Sequence, residues 1–144
     1  MATSLAVVVA ATFVWLGMVL AISFLEAPVK FRAPGVTLPI GLGIGRLVFR
    51  ALNACEVGLA VVVVAGLVAG SPGRGAAVAL AAAVVVLAAQ LLLVRPALTR
   101  RSDAVLAAPE GVAGPGSHAH LWYVGAEVVK VVALLLGGIL LLAH

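Results

Sequence analysis

Four apolar runs alternate with polar, Gly- and Pro-bearing connections: Leu5 to Leu25, Leu42 to Ala69, Gly75 to Val94 and Leu121 to Ala143. Each is about as long as the ~20 residues with which an α-helix crosses ~30 Å of hydrocarbon. The runs are continuous and lack the apolar–polar alternation of barrel strands, so the pattern predicts helices and excludes a transmembrane β-barrel. Gly70-Ser71-Pro72-Gly73-Arg74-Gly75 predicts a tight hairpin between the second and third runs, because Gly and Pro together do not continue a helix. The other connections are longer and carry Pro28, Pro34, Pro39, Pro96, Pro109 and Pro115. The expected architecture is all-α, a single integral membrane four-helix bundle over residues 1–144.

Composition agrees with this reading. Hydrophobic residues make up 65% of the chain, charged residues 10%, and the mean hydropathy is +1.30; a soluble domain carries about 25% charged residues. The first run has no basic residue before it, is too long for a signal-peptide core and is followed by Lys30 and Arg32, which predicts a retained span. Lys30, Arg32, Arg46, Arg95, Arg100 and Arg101 lie in or beside the first and third connections, against Arg74 alone in the second. The positive-inside rule then puts those two connections in the cytoplasm and both termini outside, in a multi-pass protein of the cell membrane. The net charge of +4 follows the membrane boundaries and forms no separate basic domain, so no nucleic-acid partner is expected.

Against this apolar background, polar side chains recur at helical spacing. Arg46, Arg50, Asn53 and Glu56 span about 120° of the second helix, and His120, Tyr123, Glu127 and Lys130 about 80° of the fourth. Charges at bilayer depth are costly, face protein or water, and mark functional sites by default. Counting inward from the basic end brings Arg50 and Asn53 level with Tyr123 and Glu127, and Glu56 level with Lys130, which predicts the pairs Arg50–Glu127 and Glu56–Lys130. Glu26, with Lys30 four residues on, extends the set from the first helix, and Gln90 from the third. The plainer alternative is interhelical glue that only fixes which helix faces which. Two arginines, a lysine, a histidine and a tyrosine exceed what two carboxylates need, and arginine forks suit carboxylate or phosphate.

Other candidate chemistry is sparse. Cys55 has no disulfide partner and is expected to be a small core residue. Gly41-Leu42-Gly43-Ile44-Gly45 follows no strand and is expected to serve close helix approach, not phosphate binding. No Glu-x-x-His pair or other metal motif is present, so Glu26, Glu56, His118, His120 and Glu127 are not assigned a metal. Trp15, Trp122 and Tyr123 are expected to fill spans or anchor at interfaces. The third run, with Ala77, Ala81 and Ala88 and no evident large-side-chain seam, predicts close contacts and a homo-oligomer.

Two resemblances bear on these motifs. Ala27-Pro28-Val29-Lys30-Phe31-Arg32, Gly45-Arg46-Leu47-Val48-Phe49-Arg50 and Arg95-Pro96-Ala97-Leu98 resemble the transmembrane-protein-205-like domain family of small four-span proteins, whose activity is unassigned; the likeness implies a fold and no chemistry. Arg50-Ala51-Leu52-Asn53-Ala54-Cys55-Glu56 is similar to the Arg-Ala-x-x-Asn-x-x-Glu pattern of the glutathione-linked membrane family of eicosanoid metabolism, but one residue shorter between Ala and Asn. That resemblance implies a thiol cofactor held by Arg50, Asn53 and Glu56 with Tyr123 near the reacting group; the missing residue turns the arginine by ~100° relative to the other two.

The expected function is a cytoplasm-facing intramembrane polar site that binds or moves a small anionic or amphipathic compound, with membrane lipid as the other partner. Its residues are Glu26, Arg46, Arg50, Asn53, Glu56, His120, Tyr123, Glu127 and Lys130. The alternatives are a membrane enzyme acting on a lipophilic substrate and a structural assembly subunit. No cofactor is fixed by the residues themselves.

Overall fold

The computed structural model describes residues 2–94, 96, 99–100, 103–104, 107 and 118–143. Four principal helices run up and down: α1 (Thr3–Val19), α2 (Leu38–Ala69), α3 (Arg74–Ala89) and α4 (His118–Leu142). Helix α1 continues through a π-helical stretch, Leu20–Glu26, and two short turns, Ala27–Val29 and Lys30–Arg32. Helix α3 likewise ends in a π-helical stretch, Gln90–Val94. No strand occurs among the described residues, and each of the four helices is long and apolar enough to cross a membrane.

Local chemistry sets the ends. Thr37 caps α2 by accepting a hydrogen bond from Ile40 N (3.4 Å), with Pro39 in the first turn where its missing N–H costs nothing. Gly35, at φ +82°, supplies the left-handed residue that turns the chain into this cap. At ~1.5 Å per residue the 32-residue α2 is ~48 Å long, longer than a hydrocarbon core, so its basic end projects beyond it.

Buried positions repeat at alternating steps of four and three: Val8, Thr12, Trp15 and Val19 on α1, Ala76, Leu80, Ala83, Leu87 and Gln90 on α3, and Tyr123, Glu127, Lys130, Leu134, Gly137 and Leu141 on α4. A four–three repeat of this kind keeps one seam of each helix turned toward its neighbours. It corrects the expectation for the third run: Leu80 and Leu87 form a large-side-chain seam, while Ala81 and Ala88 are exposed.

The antiparallel pair α1 and α4 is central, with α2 against α1 and α3 against α4. Helices α2 and α3 touch little, leaving an open apolar cleft of about 350 Å³ lined by Val64, Leu67, Val68, Ala77, Ala81 and Val84, among others. Close approach at the hairpin end depends on glycine: a Cβ on Gly66 would lie 2.3 Å from Val8 Cγ2, and one on Gly137 2.6 Å from Leu80 Cδ2. Val8, Ala60, Val63, Leu80, Leu134 and Leu141 make this half of the interior apolar, with Thr12 its polar exception among the described buried residues.

Candidate functional site: a buried carboxylate–ammonium centre

Glu56 lies 13 residues before the end of α2, Lys130 12 residues before the end of α4, and Trp15 12 residues after the start of α1. At ~1.5 Å per residue all three sit ~18–20 Å from the hairpin end, near the middle of the span. There the interior turns polar.

Lys130 Nζ spends its three donors on Glu56 Oε2 (2.6 Å), Glu127 Oε1 (2.5 Å) and Gln90 Oε1 (2.7 Å). Gln90 Nε2 donates back to Glu127 Oε1 at 2.7 Å, Ser23 Oγ donates to Glu127 Oε2 at 2.5 Å, and Trp15 Nε1 donates to Glu56 Oε2 at 2.7 Å. All four helices contribute. The side chains of Glu56 and Lys130 are fully buried and that of Glu127 is 1% exposed. Glu56 Oε1 and Thr12 Oγ1 are buried and make no hydrogen bond. Both π-helical stretches begin about one turn further toward the basic end and carry network residues, Ser23 in one and Gln90 in the other. A π turn redirects side chains out of the regular α register, and such turns recur at functional sites.

Toward the basic end the lining is polar and aromatic. Lys30 Nζ lies 3.8 Å from Glu26 Oε2, 5.5 Å from the Phe31 ring centre and 5.7 Å from that of Phe49. Phe49 meets buried Tyr123 edge to face, with ring centres 5.6 Å apart. Arg46 is engaged by the segment after α3, pairing with Asp103 and donating to Thr99 O at 3.1 Å.

The Glu56–Lys130 contact is the one the helical spacing predicts, and Glu26 pairs with Lys30 along α1. The pair Arg50–Glu127 does not form: Glu127 is taken by Lys130, Gln90 and Ser23, and Arg50 is exposed, without an ion-pair partner among the described residues. The cause is angular. Gly41, Gly45, Leu52, Glu56, Ala60 and Val63 define the inward face of α2, whose centre lies about 140° from Arg50 and about 80° from Asn53. The stripe of Arg46, Arg50, Asn53 and Glu56 therefore meets the core only at its Glu56 edge. Asn53 is half-buried at the flank, outside the network. Cys55, expected in the core, is exposed for the same reason. The side chain of His120 lies outside the described residues.

Trp15 is neither an interfacial anchor nor mere filling, since its indole N–H serves Glu56 at mid-depth. Ser23 is the other network residue that the polar spacing along the sequence does not pick out. Both occupy the inward face of the first helix, where polar atoms at seam positions are the available signal. Trp122, by contrast, is 72% exposed on the outer surface. No group of three or more His, Cys, Asp or Glu residues that could hold a metal ion occurs among the described residues.

With both carboxylates ionised, two negative charges share one ammonium in an environment closed to water. A net buried charge is expensive, and one added proton removes it. The chemistry available to the centre is reversible protonation. No protein-family model, curated protein or solved structure matches this chain.

Proposed function

We propose that this protein is a multi-pass protein of the cell membrane that takes up and releases one proton at the Glu56–Lys130–Glu127 centre, as the coupling element of a carrier or sensor. The observation carrying this reading is that two fully buried carboxylates share a single ammonium, with Glu56 Oε1 left without a partner. Glue alone needs one carboxylate for one lysine; the second makes the charge of the centre depend on a proton. The groups facing the centre are Glu56 from α2, Glu127, Lys130 and Tyr123 from α4, Gln90 from α3, and Thr12, Trp15 and Ser23 from α1, with Glu26 and Lys30 further toward the basic end.

Infrared difference spectroscopy of the lipid-reconstituted protein tests this. A protonated-carboxyl band that appears in acid, disappears in alkali and is abolished by Glu56→Gln combined with Glu127→Gln supports it; two carboxylates ionised at every pH at which the fold persists rule it out.

A second reading, capture of a small anionic or amphipathic compound at the basic end, draws on Arg50, which is exposed, without an ion-pair partner among the described residues, and four residues from Arg46 on α2. A thermal-shift screen of anionic lipids, fatty acids and thiol compounds tests it: a stabilising ligand whose effect is lost in Arg50→Ala supports it, and equal responses refute it.

A further inference from the structure

We infer that the proton reaches this centre from the basic end only, through Glu26 and Ser23 on the inward face of α1, and that the hairpin end is sealed. The inference rests on the centre being protonatable, as proposed above. Three observations carry it.

The first is the Ser23–Glu127 hydrogen bond of 2.5 Å, which joins the centre to α1 on its basic-end side. A serine hydroxyl both accepts and donates, so it can take a proton at Oγ while passing its own to Glu127 Oε2. One proton enters, one leaves, and the hydroxyl is restored.

The second is Glu26. It lies three residues toward the basic end and, like Ser23 and Lys30, is half-buried. Its side chain is one-third exposed, while its Oε2 is buried and makes no hydrogen bond, with Lys30 Nζ 3.8 Å away. A carboxyl that meets solvent at one oxygen and the interior at the other is placed to collect a proton and deliver it inward, returning to the carboxylate that Lys30 balances. Ser23 and Glu26 lie three residues apart in the π-helical stretch and both are half-buried, and in this path a side-chain rotation or a bridging water closes the gap between them.

The third is the asymmetry about the centre. Beyond Trp15 the interior is built from Val8, Ala60, Val63, Leu80 and Leu134, with Thr12 Oγ1 hydrogen-bonded to nothing. No titratable side chain is buried there among the described residues. A path open at one end and closed at the other permits loading and unloading from one side without leakage across the membrane.

The test uses the full chain carrying Cys55→Ala and Ser71→Cys, reconstituted in vesicles and sorted by orientation through labelling at Ser71→Cys. The pH is stepped on one side and the rise of the carboxyl band is followed in time. A step at the basic end should produce the band promptly, and a step at the hairpin end should produce none until the two sides equilibrate. Glu26→Gln should slow the basic-end response by about tenfold or more while the final band stays the same size, because it removes a relay and not the acceptor. Ser23→Ala should slow it as well, and Ser23→Thr, which keeps the hydroxyl, should restore the rate. Equal rates from the two sides, or unchanged rates in both Glu26→Gln and Ser23→Ala, would overturn the path while leaving the centre intact. Absence of any titrating band in the parent protein would overturn the centre and the path together.

Discussion

Replacing Lys130 with methionine removes the one positive charge of the centre without removing much volume. Three contacts are lost together: 2.6 Å to Glu56, 2.5 Å to Glu127 and 2.7 Å to Gln90. What remains is two carboxylates facing each other, with Trp15, Gln90 and Ser23 as their remaining donors. Breaking a buried pair by deleting one partner costs about 3–5 kcal/mol, mostly from the charge left behind. In alkali, with both carboxylates ionised, two stranded charges put Lys130→Met at the upper part of that range, or about a thousandfold in the folding equilibrium at 1.4 kcal/mol per decade, whereas a centre that keeps its proton strands only one. The sign of the pH effect follows from charge. In acid, protons neutralise the stranded groups, so the defect should shrink as pH falls and deepen as pH rises. Glu56→Gln combined with Lys130→Met should be less harmful than Lys130→Met alone, since it strands one carboxylate, not two. The assay is SDS-titrated unfolding in mixed micelles, followed by circular dichroism as a double-mutant cycle. Additive effects of Glu56→Gln and Lys130→Met, together with a defect independent of pH, would refute the reasoning.

Other expectations follow from geometry. Trp15→Phe keeps most of the packing but deletes the indole donor to Glu56, and should cost about 1–3 kcal/mol in the same assay. Gly66→Ala drives a methyl into Val8 Cγ2 and Ser4 O and should destabilise by about 1–3 kcal/mol, whereas Gly58→Ala on the same helix meets nothing within 4 Å and should be neutral or stabilise by up to ~1 kcal/mol. Cysteine placed at Ser71 should react with an impermeant reagent from outside the cell, and cysteine at Ser102 only from the cytoplasm; the reverse would invert the side from which the proton is proposed to enter.

What the sequence makes legible here depends on how strongly each physical signal is written. Helix number and the hairpin at Gly70–Gly75 are plain, because continuous apolar runs and Gly-Pro clusters leave few alternatives. Glu127 and Lys130 read correctly as inward-facing, since Tyr123, Glu127 and Lys130 fall on the same seam as Leu134 and Leu141. On α2 the same arithmetic misleads: four polar residues draw the apparent centre of the face toward Arg50, while the small residues Gly41, Gly45 and Ala60 carry the contact. Polarity marks an inward face only at depth, and Arg46 and Arg50 lie ~29–35 Å from the hairpin end of α2, at or beyond the far edge of a ~30 Å hydrocarbon core, where exposure costs less. Trp15 and Ser23 are hidden for the opposite reason. Neither is charged, and the π-helical stretch that carries Ser23 departs from the α-helical period used to place side chains.

The central claim is that two carboxylates at mid-depth hold one exchangeable proton between them, and counting that proton is its most direct test. Infrared spectra of the lipid-reconstituted protein, taken across its pH range and calibrated against a carboxylic acid of known concentration, give the number of protonated carboxyls that belong to the centre once the spectrum of the Glu56→Gln, Glu127→Gln variant is subtracted. The account predicts one per chain in the neutral state of the centre, lost in alkali with the fold intact. A value of zero throughout, or two carboxyls titrating independently of each other and of Lys130→Met, would contradict it.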